Sequence, residues 1–221
     1  MSDSLTALND EIVACRKCPR LVEWRERVAR EKRASFSDWE YWGRPITGFG
    51  DPSATLLVVG LAPAAHGGNR TGRVFTGDRS GDWLFRALHR AGYANQPNSD
   101  RRHDGLRLTG AYVSACVRCA PPANKPATDE RDNCLPYLER ELALLTSVRV
   151  IVPLGGFAYQ NVARLQGVSP RPAFGHGVEV RISGGRTIVC SYHPSQQNTF
   201  TGKLTEPMFD AVFARARELA G

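Results

Sequence analysis

Apolar positions along the chain change period several times, and each change marks an element. From residue 4 to about 33 the helical spacing predicts two helices broken at Cys18-Pro19, the second carrying the basic stretch RLVEWRERVAREKR. Residues 35 to 54, SFSDWEYWGRPITGFGDPSA, crowd Trp39, Tyr41 and Trp42 ahead of Gly and Pro and predict an ordered loop packed on the domain. TLLVVG at 55 to 60 is a short, wholly apolar run, as expected of a parallel strand buried on both faces.

A long polar loop follows, and then the helix SGDWLFRALHRAGY. Beyond it the pattern predicts a strand around 110 to 118, a helix over 128 to 146, the strand VRVIVPLG, a helix from Gly156 to about 165 and the strand RTIVCSY. A closing helix sets Phe209, Val212, Phe213, Ala216 and Leu219 on one face. Alternating strands and amphipathic helices without internal repeats predict an α/β fold. The expected architecture is one domain over 1–221, a three-layer α/β/α sandwich with a mostly parallel central sheet. In such sheets ligands gather at the carboxyl ends of the strands. The loops after TLLVVG, after the strand ending at Cys119 and after RTIVCSY are therefore expected to meet in one cleft.

Composition fits this reading: 42% of the 221 residues are hydrophobic and 23% charged. No apolar run reaches the ~18 residues a membrane helix needs, and the first residues lack the layout of a signal peptide, so the expectation is a cytoplasmic protein without membrane contact. Lys and Arg outnumber Asp and Glu by 29 to 22, with a pI near 9.3, which suits a polyanionic partner. Six cysteines in such a chain fit a metal site or buried thiols better than a disulfide framework. Cys15 and Cys18 form one CxxC, Cys116 and Cys119 a second, while Cys134 and Cys190 stand apart; Cys190, in an apolar strand, reads as an inert core thiol.

Chemistry concentrates in GLAPAAHGGNRTGRVFTGDRSGDW, from Gly60 to Trp83, where many glycines accompany His66, Asn69, Arg70, Arg73, Asp78, Arg79 and Ser80. Glycines let backbone approach a flat base or a phosphate, and the next helix offers unpaired N–H groups. Neither GxGxxG nor GxxxxGK[ST] occurs, which excludes the usual dinucleotide and P-loop sites.

Gly60-Leu61-Ala62-Pro63-Ala64 resembles the first motif of the family 5 uracil-DNA glycosylases. YWGRPITGFGDP before it, FTGDRSGDWL after it and SYHPSQQNTFTGKLT near the end resemble the same family in the same order. The resemblance implies a DNA repair glycosylase that hydrolyses the N-glycosidic bond of uracil and other deaminated bases, hypoxanthine included, in duplex DNA. The enzyme would act as a monomer and leave an abasic site. It implies that Gly60, Leu61, Ala62, Pro63 and Ala64 border the base, that Phe75 stacks on it after extrusion, and that Asn124 joins the substrate-binding set. His193 would stabilise the charge developing on the departing base. Ser195, Gln196, Gln197 and Asn198 would reach the DNA, one residue of that loop entering the minor groove.

Two departures from related families stand out. Those families carry a polar, water-orienting residue in the first motif where this chain has Leu61 and Ala62, which leaves Asp78 as the candidate to position water or stabilise the sugar cation. Asp78 reads equally well as the N-cap of the helix starting near Ser80. An Asn that reads uracil in the cluster-bearing family 4 relatives is replaced by Ala115, which predicts relaxed base selectivity.

The resemblance also implies a structural 4Fe-4S cluster held by Cys15, Cys18, Cys119 and Cys134, tying the N-terminal helices to the domain. Read on spacing alone, Cys116 competes with Cys134, and two CxxC pairs would equally suit structural zinc. Lys17, Arg20, Arg118 and Lys125, with Arg70, Arg73 and Arg79 nearer the glycine-rich loop, are the candidate DNA contacts. A binding module without catalysis, scaffolded by the cluster, is the competing function.

Overall fold

A computed structural model describes residues 3–221. Helix α1 (Leu5–Ala14) starts at Ser4, whose side chain accepts from the Ala7 N–H at 3.2 Å, and α2 (Pro19–Glu31) starts where Pro19 takes the first helical turn. The first CxxC lies in the break between them. Strand β1 (Phe49–Gly50) follows, then β2 (Leu56–Gly60), the short α3 (Gly68–Thr71) and α4 (Arg79–Arg90). The order continues through β3 (Ala111–Ala115), α5 (Thr128–Leu144), β4 (Val150–Pro153), α6 (Gly156–Leu165), β5 (Glu179–Arg181), β6 (Thr187–Val189), α7 (Gln196–Phe200) and α8 (Glu206–Ala220).

The sheet runs β1-β3-β2-β4-β6-β5. The four inner strands are parallel and the two edge strands antiparallel, with Gly60 opposite Ala115 and Leu56 opposite Val150. This is the expected sandwich with a mostly parallel sheet. The edge strands β1 and β5 are additions, too short to leave a periodic signature. Side chains alternate between two layers as a pleated strand requires. Leu56 and Val58 pack with Leu84, Phe85 and Leu88 of α4 and Phe209 and Phe213 of α8. Leu57 and Val59 pack on the opposite face with α1, α2, α5 and α6 through Leu8, Ile12, Leu21, Leu138 and Tyr159. In α8, Ala220 is buried and Leu219 only partly so, a one-residue shift at the fraying end.

The aromatic segment before β1 packs on the domain as expected, for a specific reason. The Arg70 guanidinium lies 3.8 Å from the Phe36 ring centre and 4.0 Å from that of Trp39, and it donates to His66 O and Gly77 O. Arg70 is thus buried between aromatics and backbone. Arg73 is buried as well, in a 2.6 Å ion pair with Asp104 and bonded to Ser99 and Thr76. Arg118 is 2% exposed, and both its terminal nitrogens bond the buried Glu141, at 3.2 and 2.6 Å. None of these three can reach a phosphate, which corrects their assignment as DNA contacts: each is held by its buried carboxylate, carbonyl or ring partners, and leaving them would strand those groups.

Candidate active site

Three chain segments leaving the carboxyl ends of β2, β3 and β6 meet in one cavity of about 550 Å³. From the first come Leu61, Ala62, Pro63, Ala64, Phe75, Asp78, Arg79 and Ser80, from the second Asn124, and from the third His193, Ser195, Gln196 and Gln197. The volume falls within the ~300–1,000 Å³ usual for small-molecule sites. Gly60, Ala115 and Asn198 do not line it. Gly60 and Ala115 face each other across the β2–β3 ladder behind the cavity, and Ala115 is part of the core. Asn198 turns inward, donating through Nδ2 to His193 O at 2.9 Å, and so braces the His193 loop from behind.

Phe75 is held in an uncommon conformation. Its φ is +51°, in the left-handed region that a bulky side chain rarely adopts, and Asn124 across the cavity has φ +56°. Two of the four non-glycine residues with positive φ among the described residues therefore line this cavity, as expected where a fold spends strain on function. Gly60 makes the Phe75 position possible. A Cβ there would stand 2.6 Å from two atoms of the Phe75 ring.

Asp78 caps a helix, as one of its two readings from the sequence has it, and also borders the cavity. Its Oδ1 accepts from the Gly81 N–H at 3.0 Å and caps α4, while the carboxylate also lines the cavity. Burial raises its pKa above the ordinary carboxylate value, and that effect outweighs the Gly81 hydrogen bond. Its second oxygen lies against Gly67, where any Cβ would collide with it. Gly67 is a residue the sequence reading missed; its only signal was its place in a glycine pair.

His193 sits across from Phe75, the ring centres 6.0 Å apart. Burial pushes its pKa down to about 4, so the imidazole is neutral at physiological pH and keeps one N–H to donate. Gly155, with φ +91°, lets the turn after β4 pass close to His193: a Cβ at this position would stand 3.3 Å from the His193 Cβ. At the rim, the exposed Arg79 stacks 4.3 Å over Phe200 and donates to Thr199 Oγ1 at 3.3 Å. Phe200 is 69% exposed at the end of α7.

A second cavity joins the N-terminal helices to the start of α5. Cys15, Cys18, Cys119 and Cys134 all line it, with Arg25, Arg118, Asn133 and Tyr137. Cys116 does not; it is fully buried in the core behind the sheet, as is Cys190. Cys119 Sγ accepts from Arg25 at 2.9 Å, Cys134 Sγ from the Arg118 backbone N–H at 3.2 Å, and Cys18 Sγ from Asn133 at 3.7 Å. Burial lifts the Cys119 thiol to about 12 and the Cys134 thiol to about 11. Donors aimed at buried sulfurs suit ligands carrying negative charge. Among the described residues, no group of three or more His, Cys, Asp or Glu side chains closes tightly enough to hold a metal ion. The four thiols of the expected ligand set line one cavity, and Cys116 stays outside it.

Of the other basic candidates, Lys125 is exposed, Lys17 lies 4.9 Å over the Tyr137 ring, and Arg20 is half-exposed but paired with Glu130 at 2.6 Å. No helix among the described residues is long and apolar enough to cross a membrane.

Residues 47–217 match the family model of the uracil DNA glycosylase superfamily. A type-5 uracil-DNA glycosylase of Mycobacterium leprae is 55% identical over 99% of this chain and 96% of its own length. A type-5 uracil-DNA glycosylase of Thermus thermophilus is 51% identical over 95% of both chains. More distant is a type-4 uracil-DNA glycosylase of Archaeoglobus fulgidus, 26% identical over 99% of this chain and 94% of the relative.

Proposed function

The chain belongs to the uracil-DNA glycosylase superfamily, among the type-5 enzymes, and from that premise we propose that it excises uracil and other deaminated bases, hypoxanthine included, from duplex DNA. The observation that carries this reading is the meeting of Phe75, Asp78 and His193 in one cavity at the carboxyl ends of the parallel strands.

An extruded base enters between the Phe75 face and the apolar wall Leu61-Ala62-Pro63, regaining there the stacking lost from the duplex. As the bond from C1′ to the base nitrogen breaks, its electron pair goes to the base, and the neutral His193 N–H hydrogen-bonds the carbonyl on which negative charge gathers. Asp78 faces the sugar, where its carboxylate stabilises the oxocarbenium-like cation. Water attacks C1′ and gives its proton to Asp78, whose raised pKa suits it to accept one. The products are the free base and an abasic site. No lysine lines the cavity, so hydrolysis needs no Schiff base.

The cavity wall supports a broad range of bases. Leu61, Ala62, Pro63 and Ala64 present no side-chain hydrogen-bonding group, and Ala115 offers none behind them. With no polar reader on this wall, rejection of a differently substituted ring by it is weak. Phe200 and Arg79 at the rim, with Gln196 and Gln197, would meet the minor groove and its phosphates. Cys15, Cys18, Cys119 and Cys134 would hold a 4Fe-4S cluster, which supplies a cross-link between the N-terminal helices and α5 and takes no part in the hydrolysis.

The test is release of free base, followed by chromatography, from duplexes carrying one uracil or one hypoxanthine. Release of both is expected. Release of uracil alone overturns the broad range, and binding without release from any duplex leaves a DNA-binding module.

A further inference from the structure

Arg25 is 2% exposed, and no carboxylate meets it at hydrogen-bonding distance. The nearest, Glu26, is 3.9 Å away and already bonded to Arg16 through both oxygens. Arg25 donates instead to Cys119 Sγ at 2.9 Å and to Cys15 O at 3.2 Å, while its Nε has no partner. The other arginine beside the thiol-lined cavity is neutralised differently: Arg118 faces Glu141, so that pair carries no net charge toward the cysteines.

A guanidinium keeps its charge in any protein setting, and burying it is costly unless its donors are met; Arg70 meets two carbonyls and two aromatic faces, whereas Arg25 has one carbonyl, one sulfur and an unmet Nε. The sulfur contact is as short as an ordinary N–H···O bond although sulfur is the larger atom, as a charge-assisted bond to a thiolate would be. Four thiolates around a [4Fe-4S]2+ core leave two negative charges. Arg25 lies where one of them needs a partner, and it lines both the thiol cavity and the solvent-open groove beside Trp42.

We propose that Arg25 is the internal counter-ion of the cluster: a positioning residue that fixes the Cys119 thiolate, offsets the cluster's charge and shields it from the groove. This rests on the cluster reading above. Its consequence is electrostatic. A positive charge beside the cluster favours the more reduced, more negative state, so its removal lowers the reduction potential and leaves the cluster easier to oxidise and lose.

The test uses anaerobically purified full-length protein, with iron and acid-labile sulfide counted and the potential read by voltammetry. Iron-loaded wild type is expected. Arg25→Gln, which can donate but carries no charge, should show a more negative potential and a several-fold faster loss of absorbance near 400 nm under ferricyanide. Arg25→Lys should stay near the wild-type potential. A loaded Arg25→Gln protein with unchanged potential overturns the counter-ion role alone, whereas wild type free of iron and sulfide overturns the cluster reading and this inference with it. If Arg25→Gln yields only cluster-free or misfolded protein, Arg25→Lys decides: a loaded lysine variant at the wild-type potential supports the requirement for charge, and an equally cluster-free one overturns it.

Discussion

The Phe75 ring and the His193 imidazole face each other with centres 6.0 Å apart and planes tilted by 32°. One supplies a stacking face and the other a hydrogen-bond donor, so the pair can hold a flat heterocycle by its face and its edge together. His193→Ala removes the donor and keeps the face. Single-turnover base release should fall by ~10²–10³, the usual cost of one donor to a developing oxyanion, with duplex affinity little changed. Quench-flow kinetics beside a gel-shift titration check this.

The cap made by Asp78 and its proposed part in base release are separated by a pair of substitutions. Asparagine caps a helix as well as aspartate, whereas alanine loses the cap at ~1 kcal/mol. Asp78→Asn should therefore lose base release by ~10²–10⁴ while its melting temperature holds or rises, because a buried charge has gone. Asp78→Ala should lose both activity and stability. Activity kept in the asparagine variant, with only the alanine variant melting lower, would reduce Asp78 to a cap.

Burial shifts the two ionisable groups in opposite directions, and each leaves its own pH signature. Burial holds His193 near 4, so between its ordinary ~6.5 and 4 the unfolded chain takes up a proton that the folded chain refuses. Stability falls as pH drops through that window, by ~2 kcal/mol from pH 7 to 5. His193→Gln should lack this share of the drop in urea unfolding at the two pH values. In base release His193 gives no limb near 6.5. The acid limb belongs to Asp78, lies above the ordinary carboxylate range because burial raises that group, and should vanish from the residual rate of Asp78→Asn.

Much of this was legible in the chain. The apolar run of β2, the period of α4 and α8, and the motifs at Gly60–Ala64 and His193 place the sheet and three sides of the cavity before any coordinates. What sequence did not give is direction and burial. Arg70, Arg73 and Arg118 look like any phosphate-binding arginine, and only their partners, two aromatic rings, Asp104 and Glu141, reveal them as internal. Asn198 reads as a DNA contact until its amide is seen bonded to His193 O. The left-handed turn at Phe75 has no local signature, since nothing in Val74-Phe75-Thr76 favours it. Long-range packing imposes it.

Gly60 tests how tightly the base-stacking ring is set. A methyl at this position would meet two Phe75 ring atoms at 2.6 Å, and the strand beneath is fully buried, so the ring must yield toward the cavity. Overpacking of this kind costs ~1–3 kcal/mol. Gly60→Ala should melt lower and show a raised KM for base release, the moved ring now occupying space the base needs. A variant with a wild-type KM would mean that the backbone of β2 absorbs the methyl.

The fourth cluster ligand is decided by two serine substitutions. Cys134 lines the thiol cavity with Cys15, Cys18 and Cys119, and its sulfur already accepts the Arg118 N–H, whereas Cys116 packs into the core among apolar neighbours. Cys134→Ser should therefore lose iron and the absorbance near 400 nm. It should also loosen the N-terminal helices, read as faster amide exchange across α1 and α2, because the cross-link to α5 is gone. Cys116→Ser should keep its iron and lose stability by ~1–3 kcal/mol, the cost of a hydroxyl in an apolar site. The reverse outcome, iron lost with Cys116→Ser and kept with Cys134→Ser, would mean that Cys116 leaves the core to face the thiol cavity, and would overturn this choice of ligand.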